Sequence, residues 1–277
     1  MVMVKEWNVT GTRYVMEEGR VQCIGNYRPL KVTGTRFPAL LGADRFKTPF
    51  ETFCELTRVV RSKFTETPQM RAGRIIEKKL VQALKAKFPY LGIKSADECP
   101  EFTGNPYDYF SNNPVFGGKW DCIGDNTMIE IKTTGDKNAR YWIRAVPEQY
   151  MLQTALYAYL AHCDRFIIAC SFLPETAYTD PECFQPVLAD CVGDGNSICR
   201  EFSLKETFPD FEGNQLQRAL DFWNEHVLAG LSPDYTEQDV ETGLVDALAR
   251  NLDTAGRPPA YRIPVSSAGS ERRAGTA

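Results

Sequence analysis

The chain has 277 residues, with 32 Lys and Arg against 36 Asp and Glu, nine cysteines and two histidines. Its length can bury a sizeable core, and 43% hydrophobic with 25% charged residues is a globular composition rather than a disordered one. Two histidines exclude a His-rich zinc centre and disfavour Ser–His or Cys–His catalysis, so the chemistry is expected to use carboxylates, lysine or cysteine.

The order of the predicted elements indicates an α/β fold. Strand-like pieces in an otherwise irregular stretch are expected up to about Pro29. Thr48 is placed to cap a helix with Pro49 at its first position and Glu51 in the capping-box position. The further predictions are helices over 37–41, 48–60 and 70–87, strands around a turn over 117–134, a helix over 147–162, a strand over 165–172 and a helix over 215–228. This order favours a central mixed β-sheet flanked by helices, with helical N- and C-terminal additions.

The composition along the chain predicts one domain and a tail. We expect a single domain over 1–253, with its core at about 28–172 and a C-terminal helical extension at about 200–253. Residues 254–277 are rich in Gly, Pro, Ser, Arg and Ala, which predicts a disordered tail. No apolar run is long enough to cross a membrane and no signal-peptide segment is visible, so a cytoplasmic protein without a membrane partner is expected.

The cysteines and the charges leave alternatives open. No C-x-x-C pair occurs, and nine is an odd number, so scattered reduced cysteines are favoured over disulfides. Cys183, Cys191 and Cys199, spaced by eight, could join a distant fourth cysteine in an iron–sulfur cluster, which we do not expect. The net charge of −4 hides a basic stretch over 58–87, which suits either a phosphate backbone or a solvated helix face.

Two acids and a lysine are predicted to meet on one face of a hairpin. If Asp125-Asn126 is a two-residue turn, Asp121 lies opposite Glu130, and the period of two places Lys132 on the same face. Facing carboxylates repel each other unless a divalent cation binds them, and Mg²⁺ or Mn²⁺ suits oxygen ligands. The alternative is an ordinary exposed hairpin.

A third acid and two further polar residues accompany this hairpin. Glu77 falls on the apolar side of the helix over 70–87, where a carboxylate is costly without a partner. Gly73, one turn earlier, would allow another segment to approach closely. The alternative is that Glu77 lies at the edge of the apolar side of its helix, where a basic residue of the same helix neutralises its charge. Gln153 and Tyr157 are four apart and share one face of their helix.

In this order, Gly73 and Glu77, Asp121, the Glu130–Lys132 pair, and Gln153 with Tyr157 resemble the PD-(D/E)xK nuclease superfamily. The spacing is most similar to its RecB-type and phage lambda-type exonuclease branches. The segments V-T-G-T-R at 32–36 and F-K-T-P at 46–49 are similar to the opening of YqaJ-like viral recombination exonucleases. The resemblance covers about 28–172 and implies a restriction-endonuclease-like core. Trp120 stands before the aspartate, and Thr134 and Gly135 follow the lysine, where this family often has proline.

The resemblance implies a role for each of these residues. The carboxylates of Glu77, Asp121 and Glu130, with the main-chain carbonyl of Ile131, would bind one or two Mg²⁺ or Mn²⁺ ions. Lys132 would orient or deprotonate the attacking water. Gln153 and Tyr157 would support the site and the phosphate next to it. Arg28, Thr35 and Arg36 would bind DNA, including a 5′-phosphate.

The implied activity is a metal-dependent DNA exonuclease that degrades linear duplex from its ends, 5′→3′, in phage-type recombination. The implied partners are DNA, a single-strand annealing protein and further copies of the chain, as in the trimeric rings of lambda-type relatives. Two alternatives remain. One is a CRISPR-associated RecB-type exonuclease acting on single-stranded DNA; the other is a non-catalytic DNA-binding or assembly protein that keeps the fold.

Overall fold

The structure of the protein, a computed structural model, describes residues 5–9, 12–60, 66–99, 108–189 and 194–253. The described residues fall into two units. The meander unit lies within 1–30, 45–64 and 224–277, and the core unit within 31–44 and 65–223. The predicted tail over 254–277 and Cys191 lie outside the described residues. The expected single domain over 1–253 stays a prediction.

The meander unit is built on a three-stranded antiparallel sheet. Its elements are β1 (Lys5–Val9), β2 (Thr12–Glu17), β3 (Arg20–Ile24), α2 (Pro49–Leu56), α9 (Glu237–Glu241) and α10 (Leu244–Asp253). Glu18 and Gly19 both have positive φ, which a tight two-residue hairpin turn requires. The stretch before Pro29, expected to be mostly irregular, therefore contains a regular β-meander whose strands are too short for their alternation to be evident in the sequence.

The cap predicted at Thr48 is present in the meander unit. The Thr48 hydroxyl accepts a hydrogen bond from the Glu51 amide (3.0 Å) and donates to the buried carboxylate of Asp239 (2.5 Å). Asp239 also accepts from the Thr236 amide at the start of α9. One aspartate therefore supports the first turns of two helices. Helix α2 ends at Leu56, earlier than the predicted end near residue 60.

The core unit contains a mixed five-stranded sheet in the order β4-β5-β6-β7-β8. The strands are β4 (Lys94–Ser95), β5 (Cys122–Gly124), β6 (Thr127–Gly135), β7 (Arg165–Leu173) and β8 (Ser197–Ser203). Only β6 and β7 run parallel, and the other neighbours are antiparallel. Helices flank this sheet, so the predicted α/β class with a central mixed sheet is confirmed.

The helices of the core unit include the four predicted near residues 37–41, 70–87, 147–162 and 215–228, and three short ones, α4, α6 and α7, that were not predicted. They are α1 (Arg36–Leu40), α3 (Pro68–Lys87), α4 (Ala139–Arg144), α5 (Glu148–Leu160), α6 (Glu175–Thr179), α7 (Leu204–Thr207) and α8 (Gln217–Phe222). Flanking α8 are π-helical turns, Phe211–Leu216 and Trp223–Leu228, so the helix predicted over 215–228 begins earlier. Its earlier start is capped by Asp210, whose carboxylate accepts from the Gly213 amide.

Helix α3 packs on one face of the sheet. Leu80 and Leu84 of α3 pack with Ile129 and Ile131 of β6 in one buried cluster. The polar residues of β6 that alternate with Ile129 and Ile131 point to the opposite face of the sheet, because successive side chains of a strand alternate between faces. No helix within the described part of the chain is long and apolar enough to cross a membrane.

Candidate active site

The turn at Asp125-Asn126 sets the register of the predicted hairpin. Gly124 pairs with Thr127 and Cys122 with Ile129, which is the predicted pairing. Asn126 takes the positive φ of 48° that such a turn demands. Asp121, one residue before β5, therefore reaches β6 beside Glu130.

Glu130 is the most deeply buried acid of this hairpin, with 2% of its surface exposed. Its Oε1 accepts a hydrogen bond from Lys132 Nζ (2.5 Å) and another from Gln153 Nε2 on α5 (2.6 Å). Its Oε2 is buried and has no hydrogen-bond partner among the residues that the structure describes. The structure thus brings Glu130, Lys132 and Gln153 together, from positions that the sequence separates by up to 23 residues.

Asp121 and Glu77 complete the acidic side of the site. Asp121 is half-buried, and its Oδ2 accepts from the Ile131 amide (2.7 Å). Glu77, half-buried on α3, interacts electrostatically with Asp121. Gly73 allows helix α3 to lie close to strand β6, because a Cβ at that position would lie only 3.2 Å from Thr133 Oγ1 on β6.

The acids disturb one another's ionisation. Burial and the Asp121 charge raise the pKa of Glu77 to about 7, against the opposing charges of Lys119 and Lys132. Burial and then Asp121 also raise the pKa of Glu130, although Lys132 opposes this. Burial raises the pKa of Asp121. The pKa of Lys132 is raised by Glu130 and Asp121, which outweigh the effect of its burial. Such mutual shifts are typical of functional sites.

Tyr150, which the sequence analysis did not select, supports the lysine. Lys132 Nζ lies over the Tyr150 ring, 5.1 Å from its centroid, in a cation–π contact. The same ring stacks on Trp142 of α4, with the centroids 5.3 Å apart. The signal was present in the sequence, because Tyr150 is three residues before Gln153 and shares its helix face.

The predicted residue Tyr157 is buried beneath the site. Its hydroxyl oxygen accepts a hydrogen bond from the Gly34 amide (2.9 Å), and its ring stacks on Phe110. Next to Gly34, Thr35 is exposed, whereas Arg36 is half-buried and donates to the Lys31 carbonyl (3.2 Å). Arg28, the third residue predicted to bind DNA, is exposed in the meander unit after β3.

The basic stretch over 58–87 is partly used within the protein. Lys79 donates to main-chain carbonyls, among them that of Phe184 (3.1 Å). Lys85 pairs with Glu98 (2.7 Å) and Arg74 with Glu66 (2.6 Å). These side chains have acidic or carbonyl partners already, and the stretch is therefore not a uniformly free surface for phosphates. Arg61 and Lys63 lie outside the described residues.

The carboxylates fit a divalent cation by their chemistry. Oε2 of Glu130 is a buried oxygen without a hydrogen-bond donor among the described residues, and the three acids, all with raised pKa values, would be neutralised by one divalent cation together with the Lys132 ammonium. Within the described ranges, however, no three acidic, histidine or cysteine side chains already form a ligand cluster. Lys132 holds one oxygen of Glu130, and the Ile131 amide holds one oxygen of Asp121.

The described cysteines, which were predicted to be reduced, are thiols rather than members of a disulfide. Cys183 is exposed and Cys199 half-buried, and Cys191 is outside the described residues. Hydrogen bonding to Asp180 and its charge raise the pKa of the Cys183 thiol. The other described cysteines are buried.

Residues 25–164, half of the chain, match the profile of the YqaJ-like viral recombinase domain. The chain belongs to this family. The match includes all seven of the residues proposed for the metal and catalytic site, from Glu77 to Tyr157. Membership of the YqaJ-like family supports a nuclease role for the chain, with DNA as the substrate that such a role implies.

Two relatives and two solved structures are similar to this YqaJ-like chain. Uncharacterized protein MG373 of Mycoplasma genitalium is 25% identical over 259 residues, which cover 76% of this chain and 85% of that protein. Its homolog in Mycoplasma pneumoniae is 26% identical, covering 78% and 87%. A phage-related exonuclease from Haemophilus somnus is similar with a TM-score of 0.44, 13% identity and coverage of 71% and 95%. LHK-Exo in complex with dAMP gives a TM-score of 0.47, 14% identity and coverage of 80% and 94%.

Proposed function

We propose that the chain is a metal-dependent DNA exonuclease that hydrolyses phosphodiester bonds from the ends of linear duplex, 5′→3′, in phage-type recombination. The proposal treats residues 1–253 as one nuclease domain. The observation that carries it is the buried Glu130, held by Lys132 and Gln153 beside Asp121, with one carboxylate oxygen that no described residue satisfies. In a YqaJ-like chain this is the arrangement best suited to phosphodiester hydrolysis.

The acids would hold the metal. Glu77, Asp121 and Glu130, with the main-chain carbonyl of Ile131, would bind one or two Mg²⁺ or Mn²⁺ ions through oxygen, the ligand that both cations prefer. A divalent cation bound there would polarise the scissile phosphate and activate water. Oε2 of Glu130 would gain the partner that it lacks among the described residues.

Lys132 and its neighbours would prepare the phosphate side of the site. The surrounding carboxylates raise the pKa of Lys132, so the ammonium is charged at neutral pH. A charged ammonium can orient water and stabilise negative charge that develops on a phosphate, which favours this role over deprotonation. Gln153 would keep Glu130 in place, and Tyr157 would anchor α5 through the Gly34 amide.

The DNA end would be bound outside the carboxylate cluster. Arg28 would bind the 5′-phosphate, which is the role that the resemblance implies for it. Thr35 and Arg36 would also bind DNA, and Thr35 is exposed next to Gly34, whose amide donates to the Tyr157 hydroxyl. We further propose that the chain acts in the cytoplasm of a bacterium or a virus-infected cell, as a homo-oligomer such as a trimer. A single-strand annealing protein would bind the strand that the exonuclease leaves undegraded.

The test is digestion of four DNA substrates by the purified chain. Linear duplex with a 5′-phosphate, linear duplex without one, circular duplex and single-stranded DNA are each incubated with Mg²⁺ or Mn²⁺. Rapid loss of the 5′-phosphorylated linear duplex, with release from the 5′ ends and an intact circle, is the expected result. Degradation of single strands alone would support the RecB-type alternative instead, and no degradation of any substrate would contradict the exonuclease proposal.

A further inference from the structure

A basic and aromatic surface lies on α4, directly after the strand that carries Glu130 and Lys132. Lys137, Arg140, Tyr141 and Arg144 are spaced i, i+3, i+4 and i+7, which places them on one side of the continuous helical turns over 136–144. All four side chains are exposed, and 71% of the surface of Tyr141 is accessible. We call these four residues the α4 face.

The opposite side of α4 is fixed in the core unit. Trp142 is buried and stacks on Tyr150, whose ring contacts Lys132. Arg200 of β8 donates a hydrogen bond to the Ile143 carbonyl (2.7 Å). The exposure of Tyr141 therefore does not come from a loosely packed helix, and the stacked rings of Trp142 and Tyr150 connect α4 with the site lysine.

The charges of the α4 face are not neutralised within the described part of the chain. None of its four side chains has a hydrogen-bond or ion-pair partner there, in contrast to Lys85 with Glu98 and Arg74 with Glu66. Three cations around an exposed aromatic ring match the chemistry of a nucleic-acid strand, in which phosphates alternate with flat bases.

We propose that the α4 face binds single-stranded DNA, with phosphates at Lys137, Arg140 and Arg144 and an unpaired base stacked on Tyr141. The ring decides between single strand and duplex, because a base inside a duplex has both of its faces covered by neighbouring bases. The inference rests on the proposed function, since it assigns to the exonuclease a surface that holds unpaired DNA beside the carboxylate site.

The test measures binding of fluorescently labelled single-stranded DNA to the full chain in EDTA, which prevents metal-dependent hydrolysis. Tyr141→Ala is expected to weaken binding by about 5- to 100-fold, the range for loss of one base stack, and to leave duplex affinity unchanged. Tyr141→Phe should bind like wild type. The matched control is Tyr90→Ala, because Tyr90 is a similarly exposed tyrosine, 68% accessible, elsewhere in the core unit. Thermal unfolding confirms that each variant folds.

The cations are tested through salt dependence. Arg140→Gln with Arg144→Gln should reduce the slope of log affinity against log salt by about one to two. Wild-type affinity of Tyr141→Ala for single strands, or no binding of single strands by the wild type, would overturn the α4 proposal. Hydrolysis assays keep the two proposals distinct: an inactive wild type whose single-strand binding needs Tyr141 would refute the nuclease and uphold the α4 face.

Discussion

At the scale of single residues, the two carboxylate oxygens of Glu130 differ in their hydrogen bonding. Oε1 is bound twice, by Lys132 and Gln153, and Oε2 by none of the described residues. The ammonium of Lys132 therefore already binds one of the two oxygens that Glu130 could offer to a cation. A lysine that partners a carboxylate in this way keeps the metal-free site neutral enough to remain buried.

Gln153 is expected to act by holding Glu130 in position. Gln153→Leu removes the 2.6 Å hydrogen bond to Oε1 and should lower the rate of DNA hydrolysis by about 10- to 100-fold, the usual cost of losing a residue that orients a ligand. Thr154→Val is the matched control, because among the described residues the Thr154 hydroxyl bonds only the Tyr150 carbonyl on the same helix. Equal rates for the two variants would contradict the role of Gln153.

Tyr150 is expected to act through the face of its ring. Tyr150→Phe retains the ring under the Lys132 ammonium, so its activity should stay within about threefold of wild type. Tyr150→Leu loses the cation–π contact, worth about 0.5–2 kcal/mol, and should reduce the hydrolysis rate while the metal dependence remains. The result that excludes this role is a leucine variant as active as the phenylalanine variant.

The raised pKa values predict a pH-dependent response to metal. Because the pKa of Glu77 is raised to about 7 and that of Glu130 is also raised, the folded metal-free protein holds protons that the unfolded chain releases above about pH 5. The stability that this site contributes must therefore fall as pH rises from about 5 to 8. Cations compete with these protons, so Mg²⁺ or Mn²⁺ should raise the Tm more near pH 8 than near pH 6.

Differential scanning calorimetry with EDTA or excess cation at both pH values measures this difference. Asp121→Asn should lose most of the cation effect, because it removes one acid from the cluster while nearly preserving its shape. A cation effect on the Tm that is the same at both pH values, or one that survives in Asp121→Asn, is incompatible with this site as the place of binding.

Sequence reasoning reached the hairpin residues because local chemistry fixes them. A two-residue turn at Asp125-Asn126 determines every pairing of β5 with β6, so Asp121, Glu130 and Lys132 follow from counting. The contact of Tyr150 with Lys132 depends instead on how α5 packs on the sheet. The spacing of Tyr150 from Gln153 indicates that the two share a helix face, but it does not indicate which side chain of β6 that face contacts, and Tyr150 was missed.

At the scale of elements, Tyr157 joins α5 to two loops through glycines. Its ring lies so close to Gly34 that a Cβ there would be 2.6 Å from Tyr157 Cζ, and Gly118 approaches the hydroxyl from another side. Gly34→Ala should therefore lower the free energy of unfolding by about 1–3 kcal/mol, as overpacking of a buried site does. Chemical denaturation measures it, with the exposed neighbour variant Thr35→Ala as the control; equal stability of the two variants would contradict the close contact.

Helices α2 and α3 begin at capping signals, and of these the one at Thr48 was part of the prediction, whereas α3 was predicted from its apolar spacing with a start at Met70. Thr67 and Pro68 open α3 and Thr48 and Pro49 open α2, each with the hydroxyl accepting from an amide three residues later. Helix α3 extends over Pro68–Lys87, close to the predicted range. The meander before Pro29 was described only as strand-like pieces, because its stability comes from pairing with neighbouring strands rather than from local propensity.

At the scale of the whole molecule, the net charge of −4 conceals two kinds of basic surface. Some basic side chains of α3 form ion pairs within the protein, with Glu98 and Glu66 among their partners. The three cations of the α4 face, in contrast, have no ion-pair partner among the described residues. Counting charges along the sequence selected the first surface and overlooked the second. The difference lies in which acids and carbonyls the fold brings near each cation, which a linear count does not contain.

The central claim is that the acids beside Glu130, together with Lys132, make the chain a metal-dependent nuclease. The most direct measurement is the rate at which wild type, Asp121→Ala and Lys132→Ala degrade 5′-phosphorylated linear duplex, each with Mg²⁺ or Mn²⁺ and with EDTA. Thermal unfolding verifies that the variants are folded. The account predicts degradation by wild type with metal only, and a loss of at least about 100-fold in both variants. Degradation that persists in EDTA, or in either folded variant at the wild-type rate, would contradict it.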